Sequence, residues 1–484
     1  MLASLLLAAC AAGPNFKAPG PPSASRYVAH LPVATASTPG VAGGISQHFT
    51  HGAPVAANWW HLFHSTTIDQ LVATALEHNH DLKAAQAALK VAHEAVLAQR
   101  GVFLPSLAAG AATSRQRNSE ALAPVPNFPL VPHAFQYNLF TPQLSISYAP
   151  DLFGLDRRTR ESLQAQEQAV RYQALALRTT LATNVVVAAV DTAALREQIG
   201  ATRRLARLER QGLALTQLRL DKGAASRLDV AAQQSQLAQT QASVPTLVKQ
   251  AAVSQHALDV LLGVGPAHSA GAGLTLAELH LPTDLPLSLP SQLVVQRPDV
   301  LQARADLHAA SAAIGIAAAE RLPQFVLSAN VGHTALRISH VFDSGTGFWG
   351  LAASLTTPIF DGGALLHQER AAKAAYVEAA QTYRSVVLHA LQNVADTLVA
   401  LHQDALALHA AAKADRATQT TLALTRLELA HGAVSGIELL VAEQGFQQAQ
   451  IELVQVEANR FADTAALYQA LGGGWWHQKE ATGS

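Results

Sequence analysis

The 21 histidines of this 484-residue chain could bind metal ions or transfer protons near neutral pH. His61 and His64 lie three positions apart, and His78 and His80 lie two apart. Neither pair has a third ligand at a fixed spacing, and no HExxH motif occurs, although zinc sites need three or four protein ligands. The sequence therefore predicts no metal site. A histidine-dependent metalloenzyme is kept as an alternative, and it predicts stoichiometric bound metal.

Motifs that would carry other catalysis are also absent from the sequence. We find no Gly-x-Ser-x-Gly elbow, phosphate-binding loop or dinucleotide fingerprint in a strand-turn-helix context. The single methionine disfavours a thioether site for copper or silver. We therefore expect a protein that is not an enzyme, with no catalytic residue and no cofactor.

The one cysteine, Cys10, follows a short apolar run and precedes Gly13 and Pro14. Leu7-Ala8-Ala9-Cys10 resembles a bacterial lipobox, which implies that cleavage makes Cys10 the first mature residue and that its thiol is lipidated. The alternative is a core cysteine in a helix, but the proline-rich segment that follows cannot continue a helix. Because residues 1–4 carry no Lys or Arg, residues 1–9 are expected to be either a truncated or an inefficient signal peptide.

The composition excludes several classes of protein. With 33 basic and 34 acidic residues there is no excess positive charge to bind nucleic acid. A single cysteine excludes an internal disulfide. No stretch approaches the roughly 20 apolar residues of a membrane-spanning helix, so we expect no such helix. The chain is 49% hydrophobic but only 5% aromatic and 14% charged, and this predominance of Ala and Leu favours extended helices over several mixed cores.

The sequence contains two copies of one unit. A short motif, Gly223-Ala224-Ala225-Ser226, recurs later in the chain as Gly432-Ala433-Val434-Ser435. At the same offset in the sequence, Leu262-Gly263 recurs as Leu471-Gly472. The predicted divisions are a signal peptide (1–9), a lipid-anchored extended segment (10–65), a first repeat (66–263), a linker (264–290), a second repeat (291–472) and a tail (473–484).

Each copy has the same predicted order of elements. The first opens with an amphipathic helix from about residue 66, with Thr66 and Thr67 as candidate caps, and Gly101 and Pro105 end it. Two segments with period two follow, at 104–114 and 143–148, and they recur at 324–332 and 351–356. These segments predict four strands, with a polar, proline-rich surface loop at about 115–136.

After each strand pair the apolar period changes to about three and a half residues, which predicts coiled-coil helices. The two seams consist of Leu181, Val185, Ala188, Thr192, Leu195, Ile199 and Thr202, and of Leu391, Val394, Leu398, Leu401, Ala405, Leu408 and Ala412. The first such helix is expected from about residue 155 to 222 and is roughly 100 Å long at 1.5 Å per residue. The chain should reverse at Gly223 and Gly432 and return as a second helix, which Pro245 should bend in the first copy.

Four strands with one apolar and one polar face cannot stand alone in lipid, because an open sheet would expose unpaired edges to hydrocarbon. Two chains would form eight strands and a barrel filled by side chains, whereas three would form twelve strands around an aqueous lumen. A conduit therefore favours a trimer. A soluble β-hairpin packed on helices is the alternative reading of the same alternation.

Several motifs occur together in an order and spacing that match one family. They are Cys10, Gly13-Pro14-Asn15-Phe16, Trp59-Trp60 with Phe63, the run from Ser147 to Gly154, Leu289-Pro290-Ser291, Gln296-Arg297-Pro298-Asp299, and the run from Pro358 to Gly363. The chain resembles an outer membrane factor of the TolC/OprM type, in the lipoprotein branch often called the NodT family.

This resemblance implies a mainly α-helical, homotrimeric protein with a 12-stranded outer membrane barrel and a periplasmic helical tunnel. It implies a lipid-anchored, passive exit duct for drugs or other small toxic molecules. The implied partners are outer membrane lipid, a periplasmic adaptor (membrane fusion) protein and an inner-membrane pump of the resistance-nodulation-division class. A periplasmic coiled-coil adaptor or scaffold without a pore is the alternative, but it leaves the duplicated strand pairs unexplained.

The resemblance also assigns two sites. Gly223, Ala224, Ala225, Ser226, Gly432, Ala433, Val434 and Ser435 correspond to the periplasmic tips that contact the adaptor. Glu438 corresponds to an acidic ring at the entrance constriction, where three-fold symmetry would favour cations. Val441 stands where members can carry a second acid, and a solvated helix charge is the alternative role for Glu438. Asp229 is its counterpart in the first copy and receives no predicted role.

Overall fold

A computed structural model describes residues 11–20, 22, 24–30, 32–117, 136–266, 271 and 273–477. The helices are α1 (Thr66–His78), α2 (His80–Gly101), α3 (Leu155–Asp221), α4 (Arg227–Leu261), α5 (Pro290–Gln296), α6 (Pro298–Ala319), α7 (Ala364–Ala430) and α8 (Gly436–Ala470). The strands are β1 (His48–His51), β2 (Ser106–Arg117), β3 (Gln136–Tyr148), β4 (Asp284–Leu287), β5 (Gln324–His333) and β6 (Gly347–Thr356). The chain is therefore mainly helical with a small β part, as predicted.

The chain forms two compact units, and each takes segments from both halves of the sequence. The first unit comprises Met1–Ala18, Lys90–Ala169 and Arg304–Thr382, and the second comprises Pro19–Leu89, Val170–Ala303 and Tyr383–Ser484. Each unit therefore combines segments from the two sequence halves.

The first unit contains an antiparallel sheet in the order β2-β3-β5-β6. All four predicted strands are present, and the hairpin strands of the first half are longer than expected. The loop predicted at 115–136 is shorter, because β2 continues to Arg117 and β3 begins at Gln136. The rest of that loop, residues 118–135, lies outside the described residues.

An aromatic core holds the second unit together. Trp59 is fully buried and stacks on Tyr468 with ring centroids 5.3 Å apart and planes 4° apart. Phe63 packs at 6.3 Å from Phe461, and both rings are fully buried. The Trp59 and Phe63 motif noted in the sequence is thus a packing element that joins residues before α1 to α8. The short strands β1 and β4 pair in parallel in the same unit.

The two predicted seams differ in burial. In α7 all seam residues from Val394 to Ala412 are buried, as a coiled-coil seam requires. In α3 the seam residues Ala188, Leu195 and Ile199 are only partly buried. Several residues between seam positions are buried instead, namely Ala182, Val186, Ala189, Val190, Ala193 and Ala194. This part of α3 is therefore buried over a wider face than one seam provides.

Three local predictions were wrong. The predicted opening helix is two helices, because the chain breaks at Asn79 between α1 and α2. The side-chain amide of Asn79 donates to Leu261 O (3.0 Å), and its Oδ1 accepts from Leu82 N (2.9 Å) and so caps α2. The N-cap of α1 is Ser65, whose hydroxyl accepts from Ile68 N at 3.4 Å, and neither Thr66 nor Thr67 has that position. By length and composition alone α3 could cross a membrane, contrary to the expectation that no stretch is apolar enough. This is weak support for a span, because a core helix rich in Ala, Val and Leu passes the same test.

Candidate functional site

One face of the four-stranded sheet is apolar. Leu107, Ile146, Ala329 and Leu351 form a row across the middle of all four strands. The side chains of Leu107, Ile146 and Leu351 are 68%, 43% and 76% exposed, although all three are large hydrophobic groups. Side chains two residues apart share a face, and this face also carries Leu144, Tyr148, Phe325, Leu327, Val331, Trp349 and Leu355. A continuous exposed apolar band of this kind suits contact with lipid.

The opposite face of the same sheet is polar and made of small side chains. One row consists of Ser106, Ser147, Ser328 and Ala352. The next row consists of Ala108, Ser145, Asn330 and Gly350. Small hydroxyl and amide groups can face water and leave space beside the sheet. The alternation in the sequence is therefore realised as one lipid-compatible face and one water-compatible face.

The sheet has two open edges within the chain, β2 and β6. Their outer N–H and C=O groups have no partner strand in the order of this sheet. In hydrocarbon each such group costs several kcal/mol if it stays unpaired, so the edges must pair with strands of other chains. The two unpaired edges are therefore the physical reason for the sheet to close between protomers.

The two predicted helix reversals have the same local geometry. Gly223 has φ +76° and Gly432 has φ +72°, the left-handed region that an L side chain adopts only at a cost. At the first turn Gly223 N donates to Leu220 O (2.9 Å) and Ala224 N donates to Arg219 O (2.7 Å). At the second, Gly432 N donates to Leu429 O (3.0 Å) and Ala433 N donates to Glu428 O (2.9 Å). Both turns therefore end a 67-residue helix with the same glycine-based C-terminal cap.

The returning helices are capped by the acidic residues singled out in the sequence. Asp229 Oδ2 accepts from the N–H and the hydroxyl of Ser226, both at 2.8 Å. Glu438 Oε2 accepts from the N–H of Ser435 at 2.8 Å and also from its hydroxyl. Sequence reasoning missed this role, although Ser-x-x-Asp and Ser-x-x-Glu at a helix start are its signal.

Hydrogen bonds to the ionised form lower the pKa of both carboxyl groups. For Asp229 the bonds come from the backbone and then the side chain of Ser226, and for Glu438 the hydroxyl of Ser435 has the larger effect. Arg219 contributes a further, smaller lowering of the pKa at both groups. A Cβ at Gly436 would lie 3.9 Å from Leu215 Cδ1, so the end of α3 packs beside the start of α8. Glu438 is exposed there, and its lowered pKa keeps it negatively charged.

The histidines of the two pairs noted in the sequence have separate local contacts. His61 Nδ1 is 2.7 Å from Asp69 Oδ1, while His64 packs edge-on against His280. His78 is close to Glu77, and His80 begins α2. In the part of the chain that the structure describes, no three His, Cys, Asp or Glu side chains come together as metal ligands. Cys10 lies outside the described residues.

A buried charge cluster in the second unit had no counterpart in the sequence analysis. Arg460 of α8 is fully buried and donates to Leu401 O (3.1 Å) and Thr35 Oγ1 (2.7 Å). Burial and a hydrogen bond with Asp463 raise the pKa of Asp404 on α7 to about 7, while Arg460 opposes that shift. Isolated charges in an apolar helix are the only sequence signal of such a cluster. Through Arg460 the cluster joins the segment before β1 to α7 and α8.

Comparisons with known proteins agree with this geometry. The family model of outer membrane efflux proteins matches residues 71–264 and 289–473. The antibiotic efflux pump outer membrane protein ArpC of Pseudomonas putida is 29% identical over 486 residues, covering 98% of this chain and 95% of that protein. The probable outer membrane lipoprotein SilC of Salmonella typhimurium is 28% identical over 425 residues, covering 86% and 88%. Among solved structures, the open state of the MtrE outer membrane channel of Neisseria gonorrhoeae superposes with a TM-score of 0.79. The two sequences are 26% identical, and the match covers 96% of this chain and 99% of that one.

Proposed function

Because the chain belongs to the outer membrane efflux protein family, and is the passive outer membrane channel of a tripartite efflux system, we propose specific roles for its lipid anchor, tips and entrance. The fold is that of trimeric channels in which four strands from each of three chains close a 12-stranded barrel. The observation that carries the duct function is the sheet register, which separates a lipid-facing row from a water-facing row on every strand. Drugs or other small toxic molecules are the proposed cargo.

The proposed partners follow from the two tips. The tips consist of Gly223, Ala224, Ala225, Ser226, Gly432, Ala433, Val434 and Ser435, and we assign them to contact with a periplasmic adaptor. Ala224 and Ala433 are exposed, and a Cβ at Gly223 or Gly432 would meet no atom within 4 Å. Small exposed groups at a rigid reversal leave room for a partner helix to approach closely. The adaptor would connect the channel to an inner-membrane pump of the resistance-nodulation-division class.

The proposed lipid anchor is Cys10, with outer membrane localisation reinforced by acyl chains. The lipobox-like run before it and the lipoprotein relative SilC support this assignment. Cys10→Ala should reduce incorporation of radiolabelled palmitate to background, because no other cysteine is present. Ser4→Ala is the control, since it keeps the run from Leu7 to Cys10 and should be labelled like the wild type. Undiminished labelling of the Cys10→Ala protein would contradict the assignment of Cys10 as the lipid anchor.

The proposed entrance constriction is a ring of three Glu438 carboxylates, one from each protomer. Its support is the exposed, ionised state of Glu438 beside the tip, and the capping bond to Ser435 is compatible with that role because one carboxylate can accept several hydrogen bonds. Glu438→Gln keeps a capping acceptor but removes the charge. We expect the cation-to-anion permeability ratio, measured from reversal potentials in planar bilayers, to fall roughly two- to fivefold.

Asp229→Asn is the matched control for Glu438→Gln, because Asp229 has the same capping position at the start of α4. It should leave the permeability ratio close to that of the wild type. An unchanged ratio in Glu438→Gln, or an equal fall in both variants, would take Glu438 out of the constriction and leave it only as a helix cap.

A further inference from the structure

The residues directly after Cys10 are bound by a site in the first unit that no prediction from the sequence included. The backbone N–H of Ala12 donates to Phe153 O at 2.9 Å. Arg158 donates from Nε to Ala12 O and from Nη2 to Asn15 Oδ1, both at 2.9 Å, and more weakly to Gly13 O at 3.3 Å. The Arg158 side chain is only 5% exposed. A single buried guanidinium therefore binds three acceptors of this segment, on residues 12, 13 and 15.

A second layer of side chains fixes that guanidinium and extends the site. Arg158 Nη1 is 2.6 Å from Glu161 Oε2, and the other oxygen of Glu161 is 2.9 Å from His308 Nε2. The His308 ring stacks on Phe16, with centroids 4.3 Å apart and planes 14° apart. Charge pairing and ring stacking thus continue in one connected network from Arg158 to the end of the segment.

Glycines allow the segment to lie directly on backbone. Gly13 has φ +84°, and a Cβ there would be 2.5 Å from the Cα of Gly315. Gly154 has φ +85°, and a Cβ there would be 2.7 Å from the Cα of Ala11. Real Cβ atoms do not approach other atoms so closely, so each contact requires glycine. Glycine is thus required both in the bound segment and in the surface that binds it. Residues 11–16 therefore occupy a specific site and do not lie loosely on the surface.

We propose that Phe153, Gly154, Arg158, Glu161, His308 and Gly315 form a receptor for residues 11–16, which we call the terminal clamp. Its residues lie between the end of β3 and the second turn of α3, and in the middle and the last turns of α6. The clamp therefore holds the residues that follow Cys10 in the sequence against the start of α3 and the second half of α6. The consequence for lipid rests on the proposed acylation of Cys10: the acyl chains start from a fixed position, not from the end of a loose tether.

The clamp can be tested by hydrogen–deuterium exchange on the full-length trimer in detergent. In Arg158→Gln the amide N–H groups of residues 12–16, apart from Pro14, which has none, should exchange faster than in the wild type. The amide of Ala12, which donates to Phe153 O, should exchange at least roughly tenfold faster, because the charged donor that holds three acceptors of the segment is lost. Arg321→Gln is the matched control. Arg321 belongs to the same unit and pairs with Glu369, and its loss should leave exchange at residues 12–16 unchanged. Equal exchange in Arg158→Gln and the wild type would overturn the proposal.

Two further variants keep the test decisive. If Arg158→Gln yields no trimer, Phe16→Ala removes only the stacking on His308 and should accelerate exchange of the same amides by a smaller factor; no acceleration there would contradict the clamp. Cys10→Ala should keep residues 12–16 protected, because the clamp acts on the segment itself. Loss of protection in Cys10→Ala would show that lipid holds the segment and would overturn the clamp. Palmitate labelling of the wild type, measured separately, reports on acylation alone.

Discussion

Leu351→Arg is expected to remove the protein from the outer membrane, whereas Ala352→Arg is expected to leave it there. Leu351 is 76% exposed in the middle of β6 and belongs to the apolar row with Leu107 and Ile146. An arginine on the lipid face of a barrel costs about 2–4 kcal/mol at the bilayer midplane, and a trimer repeats that cost three times. Native proteins have free energies of unfolding of about 5–15 kcal/mol, the same order as this summed cost, so assembly should fail.

Ala352→Arg is the matched control because it adds the same side chain one residue further along β6. Its row contains Ser106, Ser147 and Ser328, which face the water-compatible side. An arginine there can stay hydrated and should change ion selectivity more than assembly. The measurement is the amount of SDS-resistant trimer in the outer membrane fraction. Equal trimer levels in the two variants would contradict the assignment of the faces.

Ala433→Arg combined with Ala224→Arg should abolish efflux without loss of the channel. Both residues are exposed directly after the left-handed glycines of the tips, where we place the adaptor. A large side chain at a close helix contact produces a clash, and changes at the centre of an interface weaken binding roughly tenfold or more. Folding should be unaffected, because a cation beside a helix C-terminus is electrostatically favourable.

The rate of dye efflux from cells of the native host is the measurement, with trimer levels recorded in parallel. Ala433→Ser combined with Ala224→Ser is the control, since serine keeps the tips small, and it should transport dye at the wild-type rate. Wild-type efflux by the double arginine variant, at normal trimer levels, would show that the adaptor does not contact these tips.

Much of the fold was predictable because its signals are local. A strand needs only alternation of side chains, and a long helix needs only a period near three and a half. β5 and α3 therefore lie within one residue of their predicted bounds, and the predicted α7 seam is buried from Val394 to Ala412. The reversals at Gly223 and Gly432 were predictable because few residues other than glycine adopt a positive φ. The structure confirmed the order of elements predicted from the repetition, and the family match and the solved channel confirmed the fold.

Two differences between prediction and structure have their cause in distant parts of the chain. Asn79 breaks the opening helix because its amide reaches Leu261, a partner in a distant helix that no local window contains. The α3 seam is incomplete because neighbouring residues are also buried, which depends on how many elements pack around α3. Asp229 had no predicted role, although the local Ser226 motif was sufficient to find its cap.

By itself the sequence determined the duplication, the four strands, the long helices, their glycine reversals and the lipobox-like run that leads to Cys10. Only the tertiary structure decided which strand faces lie in one register row and that the end of α3 packs beside the start of α8. It also decided that Arg158 and Arg460 bind segments far from them in the chain. The reason is that periodicity and turn chemistry act over a few residues. The partners of a buried charge or of a sheet edge are instead set by which distant elements the packing brings within hydrogen-bonding distance.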